Sequence, residues 1–499
     1  MGKTVLLIGF YNEKALGVRY LANYLKKHGY IPHILFFKKF NSIKPSKASS
    51  KELDLLEELI KKIKPSYIGL SVMSSLYLET IFLVNDRIRE KFNIPIIWGG
   101  VYPTLFPERA LKHSDFVIIG EGEEAFVELL NKLRKGIDLS DIKNLAFINK
   151  NGEIIINDVR PLIQDLDIIG YPEIGGENKY LISNDMLKEG DPQLKSIGYE
   201  LTASRGCPFA CSYCSSINIK RLYLNKGRFV RFRSVDSVMK ELNEAKKKIK
   251  KLKFIHFWDE IFPDKEEWIE EFKERYKKEI GLPFKIWGHP LRIKKSVIEN
   301  LVEAGLYQIV VGIQSGSLRV RKEIFHRTET QNQIIESSKI LSECRVPRVI
   351  YDFMLKHPFE TVEDLKETYK LCLELEPPFE LQLHGLNFLP GTDIVQMAIK
   401  RGLLTEAELE KIMYSSIQEQ YDMYWGPAAS NRATENDVWI SLIYLTQFPS
   451  LRPFIKALSS EIEKGNKEKV VILLQKVMKK ISRFKNFISK VKLVLNYKK

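Results

Sequence analysis

Short apolar runs alternate with segments of helical period along the first third of the chain. VLLIGF (5–10), IPHILFF (31–37), YIGLSVM (67–73), IPIIWGG (94–100) and FVIIGEG (116–122) are nearly unbroken apolar runs, as expected of strands buried on both faces. Between and after them, residues 17–29, 51–63, 77–91 and 123–134 carry apolar positions at the spacing of amphipathic helices. This alternation predicts an α/β fold with a parallel, doubly wound (Rossmann-like) sheet over residues 1–135. Such sheets bind ligands at the carboxyl ends of their strands. Those ends hold Gly9, Ser71, Gly99, Gly100, Gly120, Glu121 and Gly122. Residues 145–158 (LAFINKNGEIIIND) predict a hairpin turning at Asn151-Gly152. The rest of 136–196, with PEIGGEN and EGDPQ, reads as a linker.

A second βα series begins near residue 197. Strands are predicted at 198–203, 254–258, 284–288, 308–313, 349–355 and 380–387, with helices at 234–251, 265–278, 294–305, 332–344, 362–376 and 393–402. Six successive units predict a partial (βα)6 barrel over 197–402. Residues 403–499 read as helical, with an aromatic cluster at YDMYWGP (421–427). No window of about 18 unbroken apolar residues predicts a membrane span. The opening MGKTVLLIGF fits a first strand better than a signal peptide.

Charge modifies this picture at one end only. The formal net charge is +15, and from Lys464 onward twelve Lys/Arg face a single Glu. Basicity is thus a property of the tail, and nucleic-acid binding by the whole fold is not implied. Within that tail Leu474, Val477, Met478, Ile481, Phe484, Ile488, Val491 and Leu495 recur at helical spacing opposite lysines. That is the pattern of an interfacial helix on an anionic membrane, which would favour a lipid-like substrate. It is equally the pattern of a helix packed on the outside of the barrel.

Five cysteines in 499 residues form no disulfide scaffold and point to a reducing cytosol, with peripheral membrane attachment if the tail binds lipid. Three of them crowd into LTASRGCPFACSYCSS (201–216) as Cys207, Cys211 and Cys214. Thiolates are the usual ligands of iron–sulfur clusters, normally four to a cube. Three leave one iron open, as a catalytic centre requires. A zinc site is the alternative, but its second cysteine pair is missing. Cys344 and Cys372 read as small buried core residues.

Cys-x3-Cys-x2-Cys with an aromatic, Tyr213, before the last cysteine resembles the signature of the radical S-adenosylmethionine (SAM) superfamily. The resemblance implies a [4Fe–4S] cluster whose open iron is chelated by SAM, and one-electron reduction that releases a 5′-deoxyadenosyl radical. HFWDEIF (256–262) resembles the family segment that holds the SAM amino group, which makes Asp259 and Glu260 candidates beside Tyr213. VVGIQSGS (310–317) resembles the segment that contacts the SAM ribose, here Gln314 and Ser315. The cobalamin-binding members usually show Glu at the position of Gln314; Gln keeps the acceptor oxygen and loses the charge.

SVM (71–73), WGG (98–100) and IGEGEEAF (119–126) resemble the cobalamin-binding domain that precedes such barrels in the methylase and cyclase class. The strand-end residues named above are then the cobalamin contacts. Members that ligate cobalt from below use Asp-x-His-x-x-Gly. The matching stretch is Asn12-Glu13-Lys14-Ala15-Leu16-Gly17, and a protonated lysine has no lone pair for cobalt.

The expected function is radical hydrogen abstraction followed by cobalamin-dependent methyl transfer to carbon. The substrate is a small molecule or lipid, and an external low-potential donor supplies electrons. A non-methylating oxidative cyclase is the runner-up, and a non-catalytic electron-transfer protein the rival from another class. No catalytic side chain and no substrate motif is legible. Anaerobic reconstitution should load about four irons per chain, and the triple Cys207/Cys211/Cys214→Ala variant should load none. Clearly more iron, or a cluster surviving in that variant, would overturn the one-cluster reading.

Overall fold

The computed structural model describes residues 2–41, 45–425, 434–466, 470–474 and 477, with 423–425 in backbone only. The chain divides into two compact units, residues 1–288, 294–309 and 387–426 in one, and 289–293, 310–386 and 427–499 in the other.

The first unit is built on β1 (Thr4–Phe10), β2 (Ile31–Phe37), β3 (Tyr67–Ser71), β4 (Ile96–Gly99), β5 (Phe116–Ile118), β6 (Leu145–Ile148), β7 (Ile154–Ile156), β8 (Lys179–Ser183) and β9 (Met186–Glu189). They form one sheet in the order β7-β6-β5-β4-β3-β1-β2-β8-β9. β1 to β5 pair in parallel. The apolar runs demand this arrangement because both sheet faces are covered. Leu6, Ile68 and Ile96 stand abreast across three strands and feed the core on one face. Val5 and Tyr67, also abreast, feed the core on the other. Covering helices span Leu16–Lys27, Ser50–Ile63, Leu78–Lys91 and Glu123–Lys135.

Residues 136–196 correct the sequence reading. The hairpin of β6 and β7 turns at Asn151-Gly152 as expected, but the stretch after it, read as a linker, supplies β8 and β9, two further strands of the same sheet. β8 pairs in parallel with β2, setting Tyr180 beside Leu35, and Tyr180, Leu181 and Ile182 are buried. Asp191 anchors the segment. Its carboxylate takes both terminal nitrogens of Arg19 at 2.7 and 3.0 Å and the amides of Gly175 and Gln193, with both partners buried. Two short strands between polar loops carry too little periodicity to be seen in sequence.

Barrel strands follow: β10 (Gly198–Leu201), the short pair β11 (Ser204–Arg205) and β12 (Arg231–Phe232), then β13 (Phe254–Phe257), β14 (Phe284–Gly288), β15 (Leu306–Gln314), β16 (Arg348–Leu355) and β17 (Glu380–Gly385). By hydrogen bonding the six long strands run β10-β13-β14-β15-β16-β17, the open sheet of a partial barrel. Antiparallel β11 and β12 clamp the base of the loop that carries the cysteines.

The second unit packs β16 and β17 with helices Gln331–Glu343, Val362–Glu374, Glu435–Leu445 and Arg452–Glu463. Cys372 is fully buried there, whereas Cys344 is only half-buried at a helix C-cap. Most of the basic tail lies outside the described residues. Of its apolar face, Leu474 and Val477 are described, the first buried and the second half-buried. Among the described residues no helix is long and apolar enough to cross a membrane.

Candidate functional site

A cleft of about 450 Å³ opens at the carboxyl ends of β3, β4 and β5 within the first unit. The first sheet contributes Ser71, Gly99, Gly100, Gly120, Glu121 and Gly122 to its lining. Gly9 lies outside it and packs on Ala15 and Val18. Two glycines are required by geometry. Gly100 (φ +112°) leaves β4 with its α-carbon against the Val72 carbonyl, and Gly120 (φ +72°) leaves β5 beneath the Tyr223 hydroxyl. A side chain at either would collide with its neighbour in a backbone conformation L-residues rarely adopt.

The opposite wall comes from the barrel strands of the same unit: Ser204, Arg205 and Gly206 before the first cysteine, Ser216 and Tyr223 after the last, and Trp258, Asp259 and Glu260 beyond β13. These walls are tied by a buried ion network. Glu121 accepts from Arg205 at 3.1 Å and from both terminal nitrogens of Arg231 at 3.0 and 2.8 Å. Arg205 also reaches Glu123 at 2.5 Å. Burial pushes the Glu121 carboxyl up, but the two guanidiniums more than offset this and hold it below the usual range. The Tyr223 hydroxyl takes the Glu121 amide at 2.7 Å. Arg205, Arg231 and Tyr223 were not legible as site residues; their only signal is a pair of arginines flanking the cysteine loop.

Cys207, Cys211 and Cys214 are half-buried and in no disulfide. The loop closes on itself, the Cys214 amide bonding the Cys211 carbonyl at 3.1 Å, and Cys214 is the N-cap residue of helix Ser215–Leu222. Burial, with Glu260 and the neighbouring thiols adding, pushes the Cys207 thiol up to about 12 and that of Cys214 up to about 11. Such thiols surrender their protons to a metal rather than to water. Among the described residues no three His, Cys, Asp or Glu side chains converge to hold a metal ion. Three cysteine thiols presented by one short loop are a donor set that suits an iron–sulfur cluster. Tyr213 is half-buried in the loop, and the buried Ser212 accepts the Ile394 amide at 3.0 Å through its carbonyl.

The two acidic candidates beyond β13 separate in role. Asp259 is 2% exposed and committed to the fold: it accepts the Ala203 amide at 2.9 Å and the Ser204 hydroxyl, and burial pushes it up to about 6. Glu260 keeps an accessible surface in the cleft. It accepts only a 3.3 Å bond from Ser216, and crowding by the walls pushes its carboxyl up. Neither caps the next helix, which begins at Glu266 with Lys265 as its cap.

Lys14 reaches Glu200 on β10, while Leu16, Gly17 and Leu21 from the same turn and helix line the cleft. In the second unit, Gln314 ends β15 in a left-handed conformation (φ +70°). Ser315 is fully buried, its hydroxyl taking the Ser317 amide at 3.2 Å.

Comparison with known proteins matches this geometry. Residues 201–372 match the radical SAM superfamily model, and residues 4–130 the B12-binding domain model. An uncharacterized methyltransferase of Pyrococcus horikoshii is 30% identical over 358 residues, 70% of this chain and 72% of its own. The anaerobic magnesium-protoporphyrin IX monomethyl ester cyclase of Rubrivivax gelatinosus is 24% identical over 72% of this chain, which spans 62% of the cyclase. Among solved structures, the radical SAM methyltransferase TsrM of Kitasatospora setae superposes with a TM-score of 0.65 at 15% identity, covering 80% of this chain and 76% of that one. That likeness shows the shared fold. The chain belongs to the radical SAM superfamily, in the group whose barrel follows a B12-binding domain, and its cofactors are a [4Fe–4S] cluster, SAM and cobalamin.

Proposed function

We propose that the chain transfers a methyl group to an unactivated carbon of a small-molecule or lipid substrate. The observation that carries this reading is the single cleft lined both by the glycine-bearing ends of β4 and β5 and by the flanks of the cysteine loop. Residues 1–135 are assigned to cobalamin, with 136–196 completing the same sheet, 197–402 to the SAM barrel and 403–499 to a helical region. When bound, the cluster with SAM supplies radical hydrogen abstraction, and cobalamin supplies the methyl group.

The chain's own residues then have distinct tasks. Cys207, Cys211 and Cys214 hold the cluster and release their protons to do so. Gly99, Gly100, Gly120 and Gly122, with Ser71, let a bulky corrin approach the backbone. Glu121 acts through Arg205 and Arg231, keeping the two walls in register. Lys14, engaged by Glu200, supplies no lower ligand to cobalt. Tyr213 and Glu260 are assigned to the methionyl end of SAM, Asp259 to bracing the turn that presents Glu260, and Gln314 and Ser315 to the ribose. Trp258, 44% exposed and stacked near His256 and Trp287, offers an apolar wall that excludes water from the reacting centre. Electrons come from an external low-potential donor.

Five measurements test this reading. Turnover under reducing, anaerobic conditions with methyl-labelled SAM should place the label on product carbon, and the cob(II)alamin form should show no axial nitrogen splitting in electron paramagnetic resonance. An unlabelled product carrying a new ring would favour the oxidative cyclase alternative; a cyclase is what the Rubrivivax relative is named. Glu260→Gln should weaken SAM binding about tenfold while leaving thermal stability unchanged. Asp259→Asn should instead cost about 1–3 kcal/mol of stability by leaving buried donors mispaired; the reverse pattern would exchange the two roles. The basic tail is assigned to an anionic membrane surface. Vesicles rich in phosphatidylserine should sediment the full chain and not a chain lacking 464–499, whereas equal binding to neutral vesicles would remove that assignment.

A further inference from the structure

Gln314 is held by something other than its own strand. Its backbone is left-handed (φ +70°), and its side chain folds back over Gly312, where a β-carbon would meet Nε2 at 2.5 Å. That fold brings Nε2 to Asp352 on β16, donating to Oδ2 at 3.4 Å. Asp352 in turn accepts at Oδ1 from Nε2 of His384 on β17, at 2.9 Å. The flip of the amide follows from chemistry, because its oxygen turned to Asp352 would face a carboxylate. The amide oxygen Oε1 consequently points away. Gln314 is 8% exposed, yet Oε1 is buried with no hydrogen-bond partner in the chain. A buried acceptor left open is costly unless a ligand fills it, and what it lacks is a donor such as a hydroxyl.

We propose that Asp352 and His384 are positioning residues that lock Gln314 with its carbonyl oxygen presented to a ligand hydroxyl, the ribose of SAM. This rests on the assignment of Gln314 to SAM made above. The same geometry explains why position 314 holds an amide. A glutamate there would stand against Asp352, and two carboxylates at such a distance cannot both stay ionised. The negative charge sits one strand over, on Asp352, where His384 braces it, and a neutral amide carries its orienting effect to the ligand.

A binding cycle on the full, cluster-loaded chain tests the coupling, with SAM affinity read by equilibrium dialysis at pH 8. Gln314→Ala, Gln314→Glu and Asp352→Asn should each weaken SAM about tenfold. The double variant Gln314→Glu/Asp352→Asn should recover to within about threefold of the parent, because the new asparagine amide donates to the new carboxylate. A SAM analogue lacking the ribose hydroxyls should bind the parent and Gln314→Ala equally. If Gln314→Ala loses affinity while Asp352→Asn does not, or if the two single losses merely add in the double variant, the positioning pair is refuted and the SAM assignment stands. If Gln314→Ala binds SAM normally, the assignment itself fails and the pair falls with it. Should Asp352→Asn not fold, His384→Ala leaves the carboxylate in place but unbraced: a several-fold loss of SAM affinity supports the proposal, and none overturns it.

Discussion

The site depends on one half-buried charge, the carboxylate of Glu121. It leaves the end of β5 and receives Arg205 and Arg231, the residues that open and close the cysteine loop's clamp. With the Arg205–Glu123 pair, this contact ties the ligand end of the first sheet to the strand pair from which Cys207 emerges. The energetics make the tie stringent. Removing one partner from a buried, multiply bonded ion pair typically costs about 3–5 kcal/mol, because the remaining charge is stranded. Arg231 has 4% of its surface exposed and Glu123 6%, so water relieves little of the loss at those two, while the side chains of Glu121 and Arg205 keep 17% and 27%. The network therefore offers precision more than net stability: two hydrophobic walls could slide, whereas a carboxylate shared by two guanidinium forks has one geometry.

That constraint also explains what could be read in advance. The parallel sheet was legible because strands buried on both faces must be continuously apolar, and VLLIGF or IPHILFF can be little else. The cysteine triplet was legible because its chemistry tolerates few other spacings. Strand-end glycines were legible because only glycine permits the turns at Gly100 and Gly120. By contrast β8 and β9 are five and four residues long, and what secures them is Asp191 with Arg19, a contact spanning 172 positions. Long-range polar pairs leave no periodic trace. Glu121 shows the same limit from the other side: its place at a strand end was visible, but its engagement with arginines 84 and 110 positions away was not.

Asp259 and Glu260 sharpen the point. As sequence they are adjacent and interchangeable. In the turn beyond β13 the first is buried, accepting from the donors of residues 203 and 204, and the second stays exposed at the cleft. The turn thus divides structural from cleft-facing positions between neighbours, and the division rests on side-chain direction that sequence pattern gives only to within a residue or two.

The same logic governs where the chain places negative charge. Beside the cysteines burial, with the Glu260 carboxylate adding, raises the thiols of Cys207 and Cys214 and so opposes thiolate formation, whereas the ammonium group of the proposed ligand would need an acceptor there. The first unit meets both demands by pairing Glu121 and Glu123 with arginines and leaving Glu260 to the cleft. In the second unit the acceptor facing outward is an amide, and the carboxylate behind it is braced by histidine. In both units the charge is kept one residue or one strand behind the surface it serves, where protein donors rather than solvent fix its direction. A dipole or carboxylate already oriented needs no reorganisation when the ligand arrives. For a reaction that must exclude water around a reactive carbon, that preorganisation is the property the fold has to supply.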